Sequence, residues 1–324
     1  MNYITKLGHR AVEPDVSSAA RGHASFCTIM PRLPQPSRRT PMPSDSSSAV
    51  PSSRAQDYVL GSSDNERKRL TSQAAFLRDA TEAAFRAAGI VPGMRVLDVG
   101  SGAGDVAMLA ADLVGPSGSV VGLDRDPANA TWAIKRVTEG SRANIRFHVT
   151  EFNDYTDPEP FDALVGRFIL MYVPDPAATL KHLSRMLRSG AVVAFVEPDF
   201  SVPPRCVPEI PLVRQLEKWN AEVFQRSGAR VDMGMQLYRV YREAGFVDAG
   251  TSIFHLSGCG INRDMVELFV AGIRSVLPKL EEYGIATRGE VGIDTLADRL
   301  EALGREADPQ WVSTRFVAAW ARKP

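Results

Sequence analysis

The chain has 324 residues, 44% of them hydrophobic, enough for a sizeable core and compatible with two average domains or one large α/β domain with insertions. Its 38 basic and 38 acidic side chains balance, which argues against a nucleic-acid partner, because such binding draws on an excess of Lys and Arg. The three cysteines, Cys27, Cys206 and Cys259, are odd in number and scattered, which excludes a disulfide framework and the common structural zinc patterns, and no run of about 18 apolar residues offers a membrane span.

Residues 1–56 differ from the rest. The stretch from Pro31 to Ser48 is rich in Pro and Ser and has no helical or strand period, so the segment is expected to be disordered. Its Arg and Ser content faintly resembles an organellar import signal, which Glu13 and Asp15 oppose, and Met42 is an alternative start; a cytoplasmic protein is the simpler expectation. Order is expected from residue 57. In 57–92, Leu70, Ala74, Leu77, Thr81, Ala84 and Phe85 recur at helical spacing and predict a cap helix over 66–88, stopped at Gly89.

From residue 93 the period alternates. Strands are expected at 94–99, 119–123, 144–149, 161–166 and 191–196, and helices at 103–114, 127–138 and 175–187. Helices then follow at 208–226 and 235–244, a strand at 247–256, helices at 264–280 and 290–303, and a last strand at 311–321. This pattern predicts a doubly wound, mostly parallel seven-stranded α/β sheet. Two insertions, at about 201–231 and 257–308, are expected to lie over its carboxyl edge and to build a pocket.

The segment from Val96 to Asp105 carries the chemistry. A strand runs into Gly100, Ser101, Gly102 and Gly104, and a helix follows, so backbone and helix N-terminus can approach a ligand closely. A dinucleotide loop has the pattern G-x-G-x-x-G, but Asp105 stands in the third glycine's place, where it would repel a pyrophosphate. The other pattern, D-x-G-x-G-x-G, is met by Asp98, Gly100, Gly102 and Gly104. An acid there can orient the loop and face a cation; S-adenosylmethionine carries an ammonium and a sulfonium. Asp124, 20 residues after Gly104 and followed by Arg125, can accept both hydroxyls of a ribose.

With these motifs in order, residues 57–256 resemble the class I S-adenosylmethionine-dependent methyltransferases, in particular the branch of quinone-biosynthesis C-methyltransferases. The resemblance implies S-adenosylmethionine as cofactor. It implies that Glu151 and Phe152 meet the adenine, with Glu151 where the family usually has Asp and Asp154 as runner-up. It implies Arg167 beside the methionine part, and a pre-core helix from which Tyr58 and Gln73 reach the cofactor. The turn 183–190 departs from the family pattern at Ser189 and Ala191, and 241–247 resembles the entry to the sixth strand.

Glu197, Asp199 and His255 are the candidates for a general base, although a histidine alternating with Phe254 in a strand, as His255 does, is more often a satisfied core histidine. Trp219, Phe224, Met233, Met235 and Tyr238 line an apolar pocket or simply pack helices. No metal is needed. The expected reaction moves a methyl group to O, N or C of a small quinone-like or secondary-metabolite-like acceptor, in a monomer or homodimer. The alternatives are a nicotinamide-dependent oxidoreductase and a non-catalytic cofactor-binding protein.

Overall fold

The computed structural model of the protein describes residues 64–324. The expectations for residues 1–56 and for Tyr58 lie outside them. Helix α1 (Asp64–Ala88) buries Ala74, Leu77, Thr81, Ala84 and Phe85, the stripe its periodicity marks, and ends where Gly89 takes φ +91. Strand β1 (Arg95–Val99), α2 (Asp105–Val114), β2 (Ser119–Asp124), α3 (Pro127–Glu139), β3 (Ile145–Val149), β4 (Phe161–Arg167) and α4 (Pro176–Leu183) follow in the expected alternation. The Asp126 and Asp175 side chains each cap the helix that follows, with Pro in its first turn.

Strand β5 runs Leu187–Asp199, longer at both ends than the expected 191–196, and the helix before it stops at Leu183 in a 3₁₀ turn. Beyond it lie β6 (Arg205–Val207), α5 (Pro211–Arg226), α6 (Met233–Ala244), β7 (Val247–Phe254), β8 (Ser257–Cys259) and α7 (Arg263–Glu282). The single helix expected at 290–303 is two, α8 (Arg288–Val291) and α9 (Leu296–Ala307), because Gly292 breaks it at φ +61. The strand expected at 311–321 is also two, β9 (Gln310–Val312) and β10 (Arg315–Arg322), which belong to different sheets.

The main sheet has seven strands in the order β3-β2-β1-β4-β5-β10-β7. All neighbours are parallel except β10, which runs antiparallel between β5 and β7. Strands buried on both faces read as continuous apolar runs, which is why β1, β4 and β5 stand out in the sequence. Val96, Val120, Ala163 and Val192 pack with α1 and α2 on one face, and Leu97, Leu123, Leu164 and Phe195 with the helices of the other. Buried Tyr241 of α6 donates its hydroxyl to Ala319 O at 2.8 Å and accepts the Phe195 N–H at 3.1 Å, which pins α6 across β5 and β10. A second sheet, β6-β9-β8, joins the two segments expected as insertions. No helix among the described residues is long and apolar enough to cross a membrane.

Candidate active site

The carboxyl ends of β2, β1 and β4 lie side by side in the sheet, with α1 meeting the end of β4, and a doubly wound sheet offers its ligand crevice at such ends. Between β1 and α2 the chain turns through Gly100 and Gly102. Gly100 has φ +67, and a Cβ there would lie 2.5 Å from Ile169 Cδ1, so only glycine fits. Gly102 has φ +51 and nothing within 4 Å of its missing Cβ. The loop therefore packs tightly at its first glycine and faces open space at its second.

Asp98 is the acid before these glycines and is 1% exposed. Neither of its oxygens has a hydrogen-bond partner of full geometry among the described residues, although the Ala107 N–H is near enough to favour the charged form. Burial pushes the Asp98 carboxyl well above its ordinary range, and the Arg167 guanidinium only partly offsets this. The buried Ser101 hydroxyl also lacks a partner among the described residues. Unpaired buried polar atoms are costly, and a cluster of them beside a glycine loop fits a polar ligand.

Arg167 closes β4. Its Nη1 donates to Thr81 Oγ1 of α1 at 3.3 Å, and burial lowers its pKa against the pull of Asp105 and Asp98. It forms no ion pair with either acid among the described residues, so its charge remains available. The next residue, Phe168, holds φ +58, a costly conformation for an aromatic side chain, and stacks on Phe316 with ring centroids 5.6 Å apart. Thr81 and Phe168 carry no motif; only the meeting of α1 with β4 reveals them.

Asp124 ends β2. Its Oδ2 accepts the Gly102 N–H at 2.7 Å, and its Oδ1 accepts from Asp126 N at 2.9 Å and Asn129 Nδ2 at 3.4 Å. A carboxylate has about four lone pairs, so Oδ2 keeps room for a hydroxyl. Gly104 packs against Ala133 and Phe147, and Asp105 is paired with Arg136 at 2.8 Å. Arg125 and Glu151 lie exposed within 3.9 Å of each other, Phe152 packs half-buried on the core, Asp154 is exposed, and Gln73 sits half-buried on α1.

The proposed bases fare differently. Glu197 is fully buried and accepts the N–H groups of Ile169 at 3.0 Å, Leu170 at 2.8 Å and Met171 at 3.4 Å; burial still pushes its carboxyl up to about 7. It caps the turn after β4. Asp199, also fully buried, is held by Arg315 and by Ser201. His255 is exposed and is not a core histidine: β7 ends at Phe254, and the ring only approaches Ser313 O at 3.4 Å. Of the pocket candidates, Phe224 and Met233 are buried and Trp219 half-buried, whereas Met235 and Tyr238 are exposed. Sequence reading passed over Glu217 of α5, a half-buried carboxylate that burial pushes up to about 7, because an acid in an amphipathic helix reads as a surface residue.

The chain matches a methyltransferase domain family over residues 90–245. It is 31% identical over 167 residues to aklanonic acid methyltransferase from Streptomyces sp. (strain C5), an alignment covering 48% of this chain and 76% of that enzyme. It is 35% identical over 129 residues to 2-phytyl-1,4-naphtoquinone methyltransferase from Synechococcus elongatus, covering 39% of this chain and 52% of that one. The crystal structure of the YcgJ protein from Bacillus subtilis shares the fold with a TM-score of 0.51 at 14% identity, covering 76% of this chain and 99% of that one. The chain thus spans three quarters of one enzyme and about half of the other. With its glycine loop, its strand-ending acids and these relatives together, the chain belongs to the class I S-adenosylmethionine-dependent methyltransferases.

Proposed function

We propose that this enzyme methylates oxygen, nitrogen or carbon of a small, largely apolar acceptor of the quinone or secondary-metabolite kind. The observation that carries the cofactor's placement is the unpaired buried carboxylate of Asp98 beside the unpaired Ser101 hydroxyl, with the Arg167 cation opposite. These residues fit a zwitterionic, cationic ligand: Asp98 and Ser101 face its ammonium side, and Arg167 meets its carboxylate. Gly102 leaves room for its chain, Asp124 takes a ribose hydroxyl on Oδ2, and Glu151 and Phe152 border the adenine. Gln73 and Tyr58 belong to the cap side. When bound, S-adenosylmethionine supplies a methyl group on a sulfonium poised for in-line transfer. The protein's part is to align the acceptor and exclude water.

The names of the two relatives support the acceptor class: one acts on aklanonic acid and the other on a phytyl naphthoquinone by name. The reading includes 1–56 as an extension, 57–92 as a cap, and 93–324 as the catalytic domain with acceptor-binding insertions. It includes a cytoplasmic monomer or homodimer without a nucleic-acid partner. The test is calorimetry with S-adenosylhomocysteine and, separately, NADH. Micromolar binding of the first alone, weakened by Asp98→Ala and Asp124→Ala, is expected. Equal binding by both variants would move the site elsewhere.

A further inference from the structure

Strand β4 alternates its side chains until its end. Ala163 and Val165 pack on the side of α1 and α2, and Leu164 with the helices of the other side. Arg167 keeps the alternation by reaching Thr81 of α1, so an extended Phe168 would return to the side of Leu164. It does not. At φ +58 the backbone reverses, and the Phe168 ring joins Leu77 and Ala84 of α1, on the same side as Arg167. Ile169 takes the side that Phe168 leaves, packing there against the larger core. Ile169 is also the residue that a Cβ at Gly100 would strike at 2.5 Å. Phe168 therefore stands between Arg167 and a side chain pressed against the glycine loop.

A left-handed backbone suits Gly and Asn, and a bulky ring held there is strained. Packing alone does not require it, since a small residue would avoid the strain. Outliers of this kind gather where function needs a side chain in one place. Here the reversed backbone builds a row of rings. Phe168 stacks on Phe316 with centroids 5.6 Å and planes 21° apart, and Phe316 meets Phe254 at 5.5 Å and 30°. The strand register sets all three on one edge. Arg167, next to Phe168, pairs with Val196, and Phe316 pairs with Pro198 near the end of β5 and with Phe254 at the end of β7. These are carboxyl ends, where a doubly wound sheet takes its ligands. The middle ring, Phe316, is 8% exposed, whereas Phe168 and Phe254 are half-buried and leave part of each ring open.

We propose that Phe168 determines which acceptors this enzyme takes: its ring, backed by Phe316 and Phe254, is the platform on which a flat aromatic or quinonoid ring lies beside the cofactor. This rests on the methyltransferase reading. Aromatic faces attract one another in offset stacks beyond the gain from apolar burial, so the row favours a planar π system over a saturated ring of the same skeleton. Because the platform adjoins Arg167, an acceptor on it lies next to the proposed methyl donor, the juxtaposition that in-line transfer demands. The acceptor class is therefore an aromatic or quinonoid ring carrying its nucleophilic atom at the rim.

The test is calorimetry on the full chain saturated with S-adenosylhomocysteine, using two probes: 4-methoxy-1-naphthol, which is flat, and decahydro-1-naphthol, which is saturated. The wild type is expected to bind the flat probe about 10-fold tighter than the saturated one. Phe168→Leu is expected to lose that preference by weakening the flat probe alone, with S-adenosylhomocysteine affinity unchanged, and Phe168→Tyr to keep it. Phe168→Gly relieves the backbone strain and is expected to lose the preference as Phe168→Leu does, which separates the ring's role from the turn's. A wild type that binds neither probe, or both equally, would overturn the proposal, and so would a Phe168→Leu enzyme that keeps the preference. Loss of S-adenosylhomocysteine binding in both Phe168→Leu and Phe168→Gly would make the ring a structural element and overturn it too. Failure of the wild type to bind S-adenosylhomocysteine would instead strike the methyltransferase reading itself.

Discussion

The Asp124 carboxylate reaches from the end of β2 to accept the Gly102 N–H at 2.7 Å, so one strand's last residue shapes the loop that leaves its neighbour. Replacing it removes a loop support and, in the cofactor placement proposed above, a ligand contact. Asp124→Ala is expected to weaken S-adenosylhomocysteine binding more than Asp124→Asn, which keeps one acceptor oxygen, and to cost about 1–2 kcal/mol of stability through the abandoned N–H groups. Calorimetry and urea unfolding on both variants check the order. Equal effects would mean that the carboxylate acts only as a charge.

Gly100 and Gly102 are expected to fail in different ways. Gly100→Ala drives a Cβ to 2.5 Å from Ile169 Cδ1 at a positive φ, so it should cost about 2–4 kcal/mol, partly recovered by adding Ile169→Val. Gly102→Ala meets open space and should cost only about 1 kcal/mol. In the proposed cofactor placement its methyl enters the space left for the ligand, so S-adenosylhomocysteine affinity is expected to fall more than 10-fold. Thermal melts and binding isotherms separate the two losses.

Asp98 places stability and binding in opposition. Burial raises its pKa in the folded, ligand-free protein, so its contribution to stability is fully present below its unfolded value near 3.8 and is lost as pH rises through the folded value. A cationic ligand needs the charged form, so affinity should strengthen over the same rise in pH. Asp98→Asn is expected to raise the ligand-free Tm at pH 8, to flatten its pH dependence, and to weaken S-adenosylhomocysteine binding at least 10-fold. A ligand-free Tm that falls in the variant would contradict the burial argument.

Glu197 behaves as a structural titrator. Its pKa rises from 4.5 to about 7, so the stability it contributes is present below pH 4.5 and lost towards pH 8. A shift of that size corresponds to roughly 3 kcal/mol. Urea unfolding at pH 5 and pH 8 should show the wild type losing stability that Glu197→Gln retains. An identical pH dependence in both proteins would remove Glu197 from the account.

Arg315 is the counter-charge to a fully buried Asp199. Arg315→Met leaves that carboxylate without its counter-charge and is expected to cost about 3–5 kcal/mol, whereas Asp199→Asn with Arg315→Met should cost much less. Denaturant unfolding of the single and double variants forms the cycle that measures it.

The fold from α1 to β5 was legible because helical and strand periods coincide with strands buried on both faces. Tertiary hydrogen bonds were not legible. Ser313 accepts the Leu256 N–H at 2.9 Å and Thr314 Oγ1 donates to Asp199 O at 2.9 Å, and these split an apolar run at 311–321 between two sheets. The glycine loop and its acids were legible from spacing, since glycine and carboxylate are the residue types that close approach and cation binding demand. That Glu197 and Asp199 are consumed, and that Arg167 rests on Thr81, depends on which elements meet, and no local pattern carries that. Glu217 was missed for the same reason.

Strand β10 lies between β5 and β7, and its neighbour Thr314 bonds a β5 residue 115 positions away in sequence. About a third of the chain lies between these two residues and must be at hand before this side of the sheet closes. Such long-range pairing makes closure slow, because the loop entropy is lost before the contacts form. Until then β5 and β7 present bare edges to each other and to other molecules. Refolding should accordingly show the β1–β4 half protected from hydrogen exchange well before β7, with a lag that lengthens aggregation risk at high protein concentration.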